Sequence, residues 1–165
     1  MRILWTNAPS KELLIIGGTM NEGQFSRRIL QALKFDQYDA VVWKNEAKIK
    51  HGFPDIACYY HGDGLFLELK SAPGNIASFV VMDRWIQKHV PPKQLSVLRR
   101  LNTNGFTAQL ICTSTRGEKV FGYGFRSTAE AAPLQCLWEE KDAKSFIGKR
   151  LGHLVGPGMT IKETP

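Results

Sequence analysis

GFPDIACYYHGDGLFLELK, residues 52–70, is the stretch that decides the fold. Two runs rich in aliphatic and aromatic residues, IACYY and LFLELK, flank HGDG, which reads as a β-hairpin. Side chains alternate along a strand, so Leu65, Leu67 and Leu69 share one face and Phe66, Glu68 and Lys70 share the other. The leucine face is pure core, which pins the register, because a slip of one residue would set charges among the leucines. With Gly62 and Asp63 as the central pair of a type II′ turn, Asp55 is expected opposite Lys70 and Ala57 opposite Glu68. Asp55 is then diagonal to Glu68 on the same face, with Cα atoms about 7–8 Å apart.

The hairpin therefore gathers two acids and a lysine. Carboxylates this close repel, and each costs several kcal/mol, on the order of a buried ion, to desolvate alone. Lys70 offsets one of them. A hard divalent cation would satisfy both, since Mg²⁺ takes one or two carboxylates and keeps its waters. The competing reading is a solvated cluster of ion pairs. Pro54 weighs against it by fixing the chain where Asp55 begins its strand. Glu22 adds a third acid. It falls on the same helical stripe as Phe25, Ile29 and Leu33, where it serves either as a favourable charge at a helix N-terminus or as a further group aimed at the metal.

Around the hairpin, NEGQFSRRILQALK at 21–34 reads as a helix with Asn21 as its N-cap, and DAVVWK at 39–44 as a strand. Residues 76–89 read as a helix, and Pro91-Pro92 opens another over 93–101. Strands are expected at 107–113 and 119–123, and a basic amphipathic helix at 142–155 carries Phe146, Ile147, Leu151 and Leu154. This order predicts an α/β fold, a central mixed β-sheet flanked by helices. The expected organisation is one domain over 1–155. Its core spans about 20–123, its C-terminal helical extension about 129–155, and a loose tail covers 156–165.

The 165 residues carry a net charge of +7, and 43% of them are apolar. That is a globular composition with a surface that attracts polyanions, nucleic acid foremost. No run of apolar residues is long enough to span a membrane, and the start of the chain does not read as a secretory signal. Three scattered cysteines, Cys58, Cys112 and Cys136, argue against a disulfide framework and for a reducing, cytoplasmic setting. No P-loop, HExxH or GxSxG motif is present.

Pro54-Asp55, twelve residues, then Glu68-Leu69-Lys70 resembles the PD-(D/E)XK nuclease motif. GFPDI followed by FLELKSAPG is similar to the VRR-NUC branch, which groups with archaeal and phage Holliday-junction resolvases. The resemblance covers about residues 22–113 and implies a restriction-endonuclease-like core. It implies Mg²⁺ or Mn²⁺ held by Asp55 and Glu68, with the Leu69 carbonyl as a further ligand and Glu22 as the acid of the first helix. Lys70 would orient or activate the attacking water. Gln94 resembles the glutamine that opens the helix after the ExK strand, although 24 residues after Lys70 is a long spacing.

The reading that follows is a Mg²⁺-dependent endonuclease on double-stranded or branched DNA, with a homodimer suited to junction cutting. A phage or mobile-element origin is compatible with that branch. The alternatives are a restriction or repair nuclease on linear DNA, a basic DNA-binding module that keeps the fold without catalysis, and an RNA nuclease. Candidate phosphate contacts are Lys44, Lys48, Lys50, Arg84, Lys88, Lys93, Arg99 and Arg100, with His51 and His89 beside them.

Overall fold

The computed structural model describes residues 21–33, 41–45, 52–60, 62–116 and 119–155. Helix α1 (Glu22–Gln31) opens with a capping box. The Asn21 side chain accepts from the Gln24 N–H at 2.9 Å, and the Gln24 side chain accepts from the Asn21 N–H at 3.0 Å. Strands β1 (Val41–Lys44), β2 (Ile56–Tyr60) and β3 (Asp63–Ala72) follow. Then come α2 (Phe79–His89), α3 (Pro92–Thr103), β4 (Thr107–Ser114), β5 (Val120–Gly124) and β6 (Gln135–Glu140). A C-terminal helix begins at Ala143–Ser145, widens into a π-turn over Phe146–Arg150 and closes at Leu151–Val155. No helix among the described residues is long and apolar enough to cross a membrane.

Among the described residues six strands form one mixed sheet in the order β1-β2-β3-β4-β5-β6. All pairs are antiparallel except β3 with β4, which the α2–α3 crossover makes parallel. The α/β fold expected from the sequence is therefore the fold observed. Phe25 and Ile29 of α1, Leu33 just beyond it, and Phe146, Leu151 and Val155 of the C-terminal helix cover one face, over Leu65, Leu67, Leu69 and Ile111. On the other face, Met82, Ile86 and Leu98 of α2 and α3 lie over Phe66, Leu110, Cys112 and Phe121.

Two expectations need correction. The hairpin pairs Tyr60 with Asp63 and Ala57 with Phe66, so its two-residue loop is 61–62 and not Gly62–Asp63. Gly62 supplies a positive φ of 86° as the second loop residue, a conformation that glycine adopts without strain. The register shifts by two, which leaves every side chain on its expected face. It moves Asp55 from opposite Lys70 to the position opposite Glu68, one step beyond the Ile56–Leu67 pair. The second correction concerns the C-terminal extension, which is not wholly helical, because Gln135–Glu140 adds β6 to the sheet beside β5. Gly122 makes room for it, since a Cβ there would stand 2.0 Å from the Trp138 ring. Trp138 stacks on Phe146 at 5.4 Å and donates to Gln109 Oε1 at 3.0 Å, tying strand and helix together.

Candidate active site

Pro54 is buried just ahead of β2 and delivers Asp55 to the strand's threshold. The Asp55 carbonyl accepts from the Asn45 N–H at 2.7 Å, and its Oδ2 accepts from the Leu69 N–H at 2.8 Å. The carboxylate is thus held across the hairpin against the strand that carries Glu68 and Lys70. Glu68 is only 1% exposed. Lys70 Nζ donates to Glu68 Oε1 at 2.6 Å, a charge-assisted bond at the short end of the range.

That bond does not make Glu68 comfortable. Burial pushes its carboxyl up and Asp55's charge adds to the rise. Lys70 pulls back through its hydrogen bond and charge, Glu22 pushes up again, and the result is about 7. For Lys70, burial acts to lower the pKa, but the bond and charge of Glu68, with Glu22 and Asp55, outweigh it and raise it. Glu22 heads α1 where that helix meets the end of β3. Its carboxyl is also raised, first by burial, with Lys70 lowering it, Asp55 raising it and a hydrogen bond from the Ser71 backbone lowering it. Three acids and one lysine therefore act on one another across the ends of α1, β2 and β3.

Of the five side chains the sequence brings forward, these four act on one another in the structure and Gln94 does not join them. The Leu69 main chain, whose carbonyl oxygen is the expected metal ligand, meets Asp55 through its N–H, which donates to Oδ2. Gln94 lies in the first turn of α3, with its Oε1 buried and unpartnered among the described residues. It makes no hydrogen bond there to Asp55, Glu68 or Lys70. Lys44, Arg84, Lys88, Lys93 and Arg100 are exposed. Arg99 instead places its guanidinium 4.1 Å over the Phe125 ring and bonds the Ala129 carbonyl at 3.4 Å. His89 stacks on Trp85 of its own helix at 5.0 Å. Lys48, Lys50, His51 and the tail at 156–165 lie outside the described residues.

The donor set suits a hard cation. All three acids offer oxygen, and the carboxyls of Glu68 and Glu22 are raised first by burial, with the charge of Asp55 adding to the rise, a cost that a divalent ion would relieve. Among the described residues no three His, Cys, Asp or Glu side chains are gathered at one metal-binding point. The fit is accordingly to an ion held by Asp55 and Glu68 with water completing its shell, the habit of Mg²⁺.

A sequence reading centred on charge passed over a group of aromatic residues on the same sheet face, among them Trp43, Phe53, Tyr59 and Phe106. The signal was the alternation of Val41 with Trp43 and the position of Tyr59 on the sheet face that Phe66 and Glu68 share. No family model, curated protein or solved structure matches the chain.

Proposed function

We propose that the protein is a divalent-metal-dependent endonuclease that hydrolyses DNA phosphodiester bonds. One observation carries this reading: a fully buried glutamate stands against a second acid and is bonded to a lysine, with a third acid close enough to raise its pKa. A structural ion pair needs one acid and one base. Two further acids add only repulsion unless a cation visits.

Asp55 and Glu68 would hold Mg²⁺ or Mn²⁺. When bound, such an ion stabilises charge on the phosphoryl oxygens and lowers the pKa of a nearby water. The chain's own parts do the rest. The Leu69 N–H fixes the Asp55 carboxylate in place. Lys70 sets a compact positive charge beside both acids, suited to orienting an attacking water and to offsetting charge that builds in the transition state. The net charge of +7 draws the polyanion in. A preference for branched DNA, cut by a homodimer, follows from the resemblance to junction resolvases. The three free cysteines fit a cytoplasmic setting.

A binding module without catalysis is favoured by one observation, the 2.6 Å bond that commits Lys70 to Glu68. The two readings part in a nicking assay on supercoiled plasmid, linear duplex, single strand and four-way junction, with Mg²⁺ or EDTA. A nuclease nicks with Mg²⁺, stops in EDTA and fails in Asp55→Asn. A module binds all four without nicking.

A further inference from the structure

Among the described residues, α2 and α3 cover the sheet face that carries Glu68 and Lys70 from β3 to β6 and reach Ala57 of β2. Over β1 and the Tyr59 end of β2 its side chains are exposed. Val41, Trp43 and Tyr59 are 55%, 59% and 39% exposed there, and Phe53 and Phe106 are 40% and 37% exposed at its borders. The rings form a continuous group around the buried Phe66. Trp43 lies 5.7 Å from Tyr59, and Phe66 lies 5.8, 5.9 and 5.4 Å from Tyr59, Phe53 and Phe106. Phe106 continues into a surface cleft of about 490 Å³ that Arg100 also lines. A contiguous exposed apolar patch of this kind marks a binding surface.

Position and charge select the occupant. Phe66 precedes Glu68 by two residues on one strand face, and Phe53 precedes Asp55 by two. The patch therefore runs directly into the acid–lysine site. Cations stand at both borders. The Lys93 stem packs by Gly52, where a Cβ would lie 3.3 Å from its Cγ, and Arg100 stands beside Phe106. An aromatic surface between cations suits a strand of nucleic acid, because every base presents a π-face and every phosphate a charge. Paired bases have their faces covered by neighbours, so only unpaired bases can stack here. A second copy of this chain seated on this patch would set its own copies of these cations against those at the borders.

We propose that Trp43, Phe53, Tyr59 and Phe106 form a stacking ledge for the unpaired bases of a single-stranded segment. The ledge presents the adjoining backbone to Asp55, Glu68 and Lys70, a step that rests on the nuclease reading. Binding to the ledge itself requires neither metal nor cleavage.

The test is fluorescence anisotropy in EDTA with an end-labelled oligothymidine and an abasic strand of equal length and charge. The intact protein is expected to bind oligothymidine at least about 10-fold more tightly than the abasic strand. The double substitution Trp43→Ala and Tyr59→Ala should erase that difference and leave abasic binding unchanged. Trp43→Phe with Tyr59→Phe, which keeps both rings, should retain it. Equal binding of the two strands by the unaltered protein would overturn the ledge, and this comparison needs no variant. A dimer in sedimentation that the alanine pair converts to monomer, with strand preference intact, would also overturn it and assign the surface to self-association. Nicking without base preference sinks the ledge alone. Base preference without metal-dependent nicking keeps the ledge and sinks the nuclease.

Discussion

Leu65, Leu67 and Leu69 project from β3 into hydrocarbon supplied by α1 and the C-terminal helix, and none is more than 2% exposed. Phe66, Glu68 and Lys70 project from the same strand to the other side, where an acid is buried and the covering helices leave rings uncovered. One strand thus serves two surfaces of opposite character. The leucine face contributes burial and little else, at about 25 cal/mol per Å² of apolar area. The charged face spends part of that stability on a carboxylate whose pKa burial has raised. Strain tolerated on one side of a sheet is offset by ordinary packing on the other.

The comparison is broken most sharply by Leu67→Ala. A fully buried leucine cut to alanine costs about 2–5 kcal/mol, a large share of a small domain's stability. Denaturant unfolding measures it, and the folded fraction should nick DNA at the normal rate. A stable but inactive Leu67→Ala would mean that the two faces are not separable. Lys70→Ala is the complementary change. Its cleavage should fall about 10²-fold, as when a positioned catalytic group is removed. Duplex binding should persist, since one charge is a small part of the attraction. Wild-type cleavage rates would remove Lys70 from the chemistry.

Much of this contrast was legible in the sequence. Alternation in LFLELK separates the faces whatever the turn does, and Asn21 announces the start of α1. The turn itself was not legible, because HGDG offers glycine on either side of Asp63 and only the folded backbone shows Gly62 second in its loop. An error of two residues preserved the faces while misplacing the partner of Asp55. β6 was hidden for a different reason. QCLWEE has no clean apolar alternation, and it is a strand through its pairing with β5 and through Trp138 lying over Gly122. The aromatic group escaped because Trp43 and Tyr59 are ordinary strand residues and Phe53 and Phe106 sit just ahead of β2 and β4. What singles them out is where α2 and α3 stop.

The raised carboxyl of Glu68 gives the charged face its own pH signature. Its folded pKa of about 7 lies above its ordinary range, so protonation is favoured by folding. The associated stability is fully present below about pH 4.5 and is lost as pH rises through about 7. In EDTA, the wild type should therefore lose stability across that window relative to Glu68→Gln, whose neutral amide cannot titrate. Thermal unfolding over a pH series reads the difference. Mg²⁺ added above pH 7 should restore stability to the wild type and not to the variant. Parallel curves for both proteins would show that Glu68 is not strained.

The smallest effect is expected at Glu22, and it separates two explanations that share one residue. As a charge at the head of α1, Glu22 favours the helix dipole, and Glu22→Gln should cost at most about 1 kcal/mol and leave cleavage alone. As a member of the acid cluster it is held above its ordinary pKa by burial and by Asp55, partly relieved by Lys70 and the Ser71 backbone. Removing its charge then relieves Glu68 as well, because Glu22 is among the groups that raise it. Metal-free stability should stay level or rise, while the Mg²⁺ concentration needed for half-maximal nicking increases. Unfolding in EDTA beside nicking over a Mg²⁺ series reads both quantities on the same variant. A Glu22→Gln protein that is less stable yet nicks at unchanged Mg²⁺ confines Glu22 to its helix, and the charged face then depends on Asp55, Glu68 and Lys70 alone.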